Sequence, residues 1–227
     1  MRVGIFVLLL ALSPAPGNGE EPRVVPVRHD HLLGGCRGEL VFGAEEVRYA
    51  SGKKDHERTW KYGDIQQMTL FPDRVSILTY RSRPMRMGGD EAFNFRLLSG
   101  TLDDGFRREM EARMARPLVS GIVPRESSPR FALPARHRKF PAGTEGVLEF
   151  GEEQVVYRTS APGGSALWRY DELESLGSTG PFQLRLGAPS PGGPFGSGRN
   201  YVFDLKRRLE PEEYDFIWER IHRRHIR

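Results

Sequence analysis

The sequence predicts a mainly β protein made of two tandem units, each a strongly bent sheet or barrel closed by one amphipathic C-terminal helix. Three observations predict it. The stretch Gly38-Glu39-Leu40-Val41-Phe42-Gly43-Ala44-Glu45-Glu46-Val47-Arg48-Tyr49 returns as Gly146-Val147-Leu148-Glu149-Phe150-Gly151-Glu152-Glu153-Gln154-Val155-Val156-Tyr157, at an offset of 108. The same offset carries Trp60-Lys61-Tyr62 onto Trp168-Arg169-Tyr170, Phe93 and Phe95 onto Tyr201 and Phe203, and Phe106 and Met110 onto Tyr214 and Trp218. A register held over this length marks a repeated domain. Within each unit, apolar residues first alternate, as on half-buried strands, and then recur at helical spacing.

The elements follow in order. Met1-Arg2, the apolar run Val3 to Leu12 and the small residues after it read as a secretory signal peptide over 1–19; the run is too short to span a bilayer. Residues 20–27 read as an extended lead-in. Leu40 with Phe42 and Val47 with Tyr49 alternate on two strands joined by the Gly43-Ala44-Glu45 turn. Trp60 and Tyr62 mark a third strand. Met68 to Leu70 and Val75 to Thr79 make two more, joined at Pro72-Asp73. Arg81 to Glu91 is a basic loop, and Phe93-Phe95-Leu97 alternate again.

Then the period changes. Leu102, Phe106, Met110 and Met114 recur every four residues with charges between them, which predicts a helix. Thr101 with Asp104 has the pattern of a capping box. In the second unit Pro211 suits a first helical turn, and Tyr214, Ile217, Trp218 and Ile221 form the stripe expected to pack on the sheet. The divisions are thus a first unit at 28–118, a proline-rich connector at 119–135 and a second unit at 136–227.

These segments resemble the GRAM/PH-like family. The motifs are Gly-x-Leu-x-Phe at Gly38 to Phe42, Val-x-Tyr at Val47 to Tyr49, Trp60-Lys61-Tyr62-Gly63-Asp64-Ile65, Phe93-Asn94-Phe95 and the terminal helix. The resemblance covers 38–115 and 146–223. It implies seven bent strands with a capping helix in each unit, the first strand drawn partly from residues 24–33. It also implies adaptor work, binding phospholipid headgroups or protein segments.

Two sets of side chains carry candidate chemistry. His29, His31, Cys36 and His56 offer imidazole and thiolate, which suit zinc or copper. On a strand, His29 and His31 project from one face. The spacing matches no standard zinc motif, and the competing reading is surface histidines beside a buried thiol. Cys36 is the sole cysteine, which excludes an intrachain disulfide. The second set is cationic: Arg48, Lys53, Lys54 and Arg58 around one loop, and Arg81, Arg83 and Arg86 in a later one. At an open rim these suit phosphate or carboxylate, against the ordinary reading of a solvated charged surface. Trp60, Tyr62, Trp168 and Tyr170 read as packing aromatics. Asp64 and Glu172 read as caps of the turn backbone rather than acid–base catalysts.

The formal charge of +4 mixes acids with bases and points away from nucleic acid. No Gly-x-Ser-x-Gly, phosphate-cradling loop, His-Glu-x-x-His or CxxC occurs, so the expectation is a protein that is not an enzyme. The leading reading is an exported, secreted or periplasmic binding module without a cofactor, contacting a protein partner or an anionic membrane surface. A metal-binding protein is the alternative, and a rigid spacer a third.

Overall fold

The computed structural model describes residues 21–30, 34–82, 90–116, 118–139, 141–188 and 199–223. The expected signal segment, His31, Arg83, Arg86 and most of the two long loops lie outside them. Among the described residues the protein is mainly β. Fifteen strands form one sheet in the order β13-β14-β15-β9-β10-β11-β12-β8-β5-β6-β7-β1-β2-β3-β4.

The first unit comprises β1 (Arg23–Asp30), β2 (Gly35–Phe42), β3 (Glu46–Ala50), β4 (Arg58–Lys61), β5 (Ile65–Phe71), β6 (Arg74–Ser82), β7 (Asp90–Leu97) and α1 (Asp104–Arg113). After β8 (Leu118–Ser120), the second repeats the series. It has β9 (Phe131–His137), β10 (Thr144–Phe150), β11 (Gln154–Arg158), β12 (Ala166–Arg169), β13 (Ser175–Ser178), β14 (Gln183–Ala188), β15 (Arg199–Leu205) and α2 (Pro211–His222). The strand order within both units is the same. Alternation drives it: Val25, Val27 and His29 of β1 are buried while their neighbours face solvent, and Leu133, Ala135 and His137 of β9 repeat the pattern.

Each unit has its own core. Phe42, Tyr49, Phe95, Phe106 and Met110 are at most 1 % exposed in the first; Phe150, Tyr157, Phe203 and Ile217 are likewise in the second. Matching hydrogen bonds fix matching corners. Tyr62 Oη donates to the Gly43 carbonyl and Tyr170 Oη to the Gly151 carbonyl, each at 3.0 Å.

Several expectations need correction. The extended lead-in and the expected first strand are one element: β1 pairs with β2 from Arg23↔Phe42 to Asp30↔Gly35, so the sheet of the first unit starts at Arg23, ahead of the expected Arg28. Pro26 obscures its alternation; the missing N–H is tolerated because Pro26 lies just beyond the Val27↔Leu97 end of the pairing with β7, where its carbonyl accepts the Leu98 N–H. Trp60 lies on β4, but Tyr62 opens a 3-10 turn beyond it. The cap of α1 is not Thr101 with Asp104; Asp103 accepts the Phe106 N–H at 2.9 Å. The connector over 119–135 is not merely a spacer. It includes most of β8 and the start of β9, and β8 pairs in parallel with β5 and antiparallel with β12.

The offset of 108 is not continuous either. The helix caps Asp103 and Glu210 are 107 apart, as are Met110 and Ile217, both fully buried. One residue of slip turns a helix by roughly 100°. Trp218 therefore leaves the core: it is 43 % exposed and stacks on His222 at 4.3 Å.

Candidate functional site

The open rim of the second unit holds a cavity of about 120 Å³ that includes His137, Lys139, Thr144, Tyr157, Ser165, Trp168, Arg199 and Tyr201 in its lining. Alternation along β9 turns His137 inward at the strand end, where it meets Phe203, Tyr201 and Tyr157 at ring-centroid distances of 5.0, 5.6 and 5.8 Å. Trp168 of β12 closes the wall against Tyr201 at 4.8 Å. Tyr157 donates its hydroxyl proton to the Thr144 carbonyl, which holds the ring in place. Ser165 Oγ accepts the Thr159 N–H at 3.1 Å and donates to the Thr159 carbonyl, fixing the loop between β11 and β12. Gly163 in that loop has φ +64, and a Cβ there would lie 3.2 Å from the Arg74 guanidinium of the first unit.

The first unit supplies the rest of the wall. Phe71 at the end of β5, with Val119 and Ser120 of β8, lines the same cavity. The docking of β8 between the two units thus completes one side of the site.

Burial, then the positive charges of Arg199 and Lys139, push the His137 imidazole down to about 4. At neutral pH the ring is uncharged. Lys139 and Arg199 are exposed at the mouth, leaving two cations above an aromatic-walled recess. That combination suits a small anion on an apolar stem.

The first unit repeats the floor. His29 lies among Phe95, Tyr49 and Phe93 at 4.8, 5.4 and 5.8 Å, and Trp60 packs on Phe93 at 4.9 Å. In place of Arg199, however, it has Glu91. Its β4 ends the sheet, so among the described residues no bridging strand supplies an outer wall.

The sequence-derived candidates are not gathered at this pocket. Arg48 is exposed opposite Thr59 on the strand pair β3–β4. Lys53, Lys54 and Arg81 are exposed as well. Arg58 donates to the carbonyls of Asp55 and Glu57 at 2.8 and 2.7 Å, which commits it to its own loop. Of the metal set, His29 and Cys36 face each other in register, and Cys36 Sγ lies 3.0 Å from Tyr49 Oη. His29 is buried rather than on the surface, and Cys36 is half-buried. His56 sits half-buried in a 3-10 turn. Among the described residues, no three His, Cys, Asp or Glu side chains are placed to hold a metal ion.

Sequence reasoning missed Lys139 and Arg199, which lie 60 residues apart and never form a local charge run. The usable signal was the repeat itself, where Lys139 stands at the place of His31 and Arg199 at that of Glu91.

No known family profile matches the chain, and no curated protein matches it in sequence. Among solved structures, it is similar to the C-terminal domain of an unknown protein from Leishmania infantum, at 9 % identity and TM-score 0.30, covering 44 % of this chain and 85 % of that one. It is also similar to the Spt16D Pob3N heterodimer, at 10 % identity and TM-score 0.31, covering 85 % of this chain and 98 % of that one. No helix among the described residues is long and apolar enough to cross a membrane.

Proposed function

We propose that this chain is an exported, non-catalytic binding protein of tandem PH-like architecture, whose second unit captures an acidic side chain or terminal carboxylate of a partner protein. The observation that carries the reading is the placing of Lys139 and Arg199 over the neutral His137 and its aromatic walls. The PH-like assignment is supported by seven strands and a terminal helix recurring in one order in both units.

Size favours a protein group over a lipid. A volume near 120 Å³ holds about four water molecules, enough for a carboxylate and a short stem. A phosphorylated sugar headgroup would exceed it.

The test compares an acidic peptide with anionic vesicles of phosphatidylglycerol, following Trp168 fluorescence. Quenching or enhancement by the peptide, weakened by salt and lost in Lys139→Ala/Arg199→Ala, is the expected result. Binding to the vesicles alone would replace the protein partner with a membrane surface. No response to either would remove the pocket as the site.

A further inference from the structure

The chain contains an example of strand addition to one of its own edges. On the outer edge of β5, β8 pairs in parallel through Met68↔Leu118, Thr69↔Val119 and Leu70↔Ser120. The Gly121 N–H extends the ladder to the Leu70 carbonyl at 2.8 Å. Leu118 is buried in the first core with Met110 of α1 and Met114, the residue that follows the helix. A short apolar-Xaa-small segment is thus held by backbone pairing and one anchored side chain.

The same edge recurs in the second unit, on β13. Leu176, Gly177 and Ser178 oppose Leu186, Arg185 and Leu184 of β14, as Met68, Thr69 and Leu70 oppose Ile77, Ser76 and Val75 of β6. Ile221 of α2 takes the place of Met114, each 8 % exposed. Yet among the described residues β13 is the last strand of the sheet and pairs on one side only, with β14.

The two ends of the sheet differ in protection. At one end β4 carries Arg58 and Lys61, and charged edge residues resist further pairing. At the other, β13 reads Ser-Leu-Gly-Ser, with no charge and no proline; Leu176 and Gly177 are only half-buried. An uncharged edge without proline beside a helix suits addition of an extended peptide.

We infer that the outer edge of β13 is a second binding site, taking an extended segment of a partner protein in parallel, with an apolar residue seated against Leu176 and Ile221 as Leu118 is seated in the first unit. It is independent of the rim pocket. Its specificity comes from one apolar anchor and a small residue two positions later, since the backbone supplies the remainder.

The probe is the pentapeptide Leu-Val-Ser-Gly-Ile, the sequence of residues 118–122, added to the isotopically labelled full chain. The intact chain keeps β8 on β5, so the peptide meets β13 as the open edge of that type. The expected result is shifted amide resonances at Leu176 to Ser178 and exchange of the outward-facing amides slowed by at least about tenfold at saturation. A peptide with Asp in place of its Leu should lose the effect, and N-methylation should abolish it only at alternate residues, those whose amides face β13. Arg199→Ala should leave it unchanged, which separates this site from the rim pocket. Absence of any change at β13, or changes confined to β4 or β5, would overturn the proposal.

Discussion

His137 joins the fold to the proposed function. Its folded-state imidazole is held near 4 by burial and by two cations, below the 6.5 of a free histidine. Between these values the unfolded chain binds a proton that the folded chain does not. Stability from this group is therefore complete above pH 6.5 and is lost as pH falls towards 4, by about 1–3 kcal/mol. Glu172 acts in the opposite sense. Burial pushes its carboxyl up to about 7, so its contribution weakens as pH rises from 4.5 to 7. Denaturation of the wild type and His137→Phe at several pH values isolates the histidine: the difference should slope through pH 4–6.5, and a flat difference would refute it. The alignment of His137 with His29 was visible in the sequence. Their burial was also implied by the alternation, but histidine's polarity favoured a surface reading that packing against aromatic faces overrides.

At the scale of elements, the helices show how a repeat can be read correctly and still mislead. The strands were legible because alternation leaves one buried face, and a one-residue error would expose all of it. Helix α2 was legible as a helix, but its buried face was not. At an offset of 108, Met110 matches Trp218, a plausible apolar pair; at 107, the caps, the buried pair Met110 and Ile217 and the pair Met114 and Ile221 all agree. Arg113 and Arg220 are 107 apart too, and donate to the same turn of each unit, at the Gly43 carbonyl and at the Glu152 carbonyl one residue past its counterpart. The consequence is measurable by denaturant unfolding. Phe106→Ala should cost about 3–5 kcal/mol and Ile217→Ala about 2–5 kcal/mol, as for fully buried side chains. Trp218→Ala should change stability by less than about 1 kcal/mol. A large loss at Trp218 would contradict the slipped register.

At the scale of the whole molecule, β8 turns a tandem into one sheet. It lies between β5 and β12, and the Glu172 carboxylate accepts the Leu118 N–H at 3.2 Å and the Arg169 N–H at 3.0 Å. The capping role expected of Glu172 thus extends across the joint. Arg158 adds a bond to the Pro124 carbonyl at 2.9 Å while it pairs with Glu149. The sequence hid this joint because a three-residue strand between prolines has no periodicity to detect. Coupled units should melt in one transition, and Val119→Pro, which disrupts the β8 ladder, should split it into two. Two transitions in the wild type would contradict the coupling.

Among the described residues, the same joint walls the rim pocket of the second unit and not its counterpart in the first. Phe71, Val119 and Ser120 wall the second unit's recess, while Glu91 stands in the first unit where Arg199 stands in the second. Titration calorimetry of the full chain with N-acetylglutamate tests this directly. One equivalent should bind per chain, with affinity falling as salt rises, and Lys139→Glu/Arg199→Glu should abolish it. Two equivalents, no binding, or binding untouched by the double substitution would contradict the account.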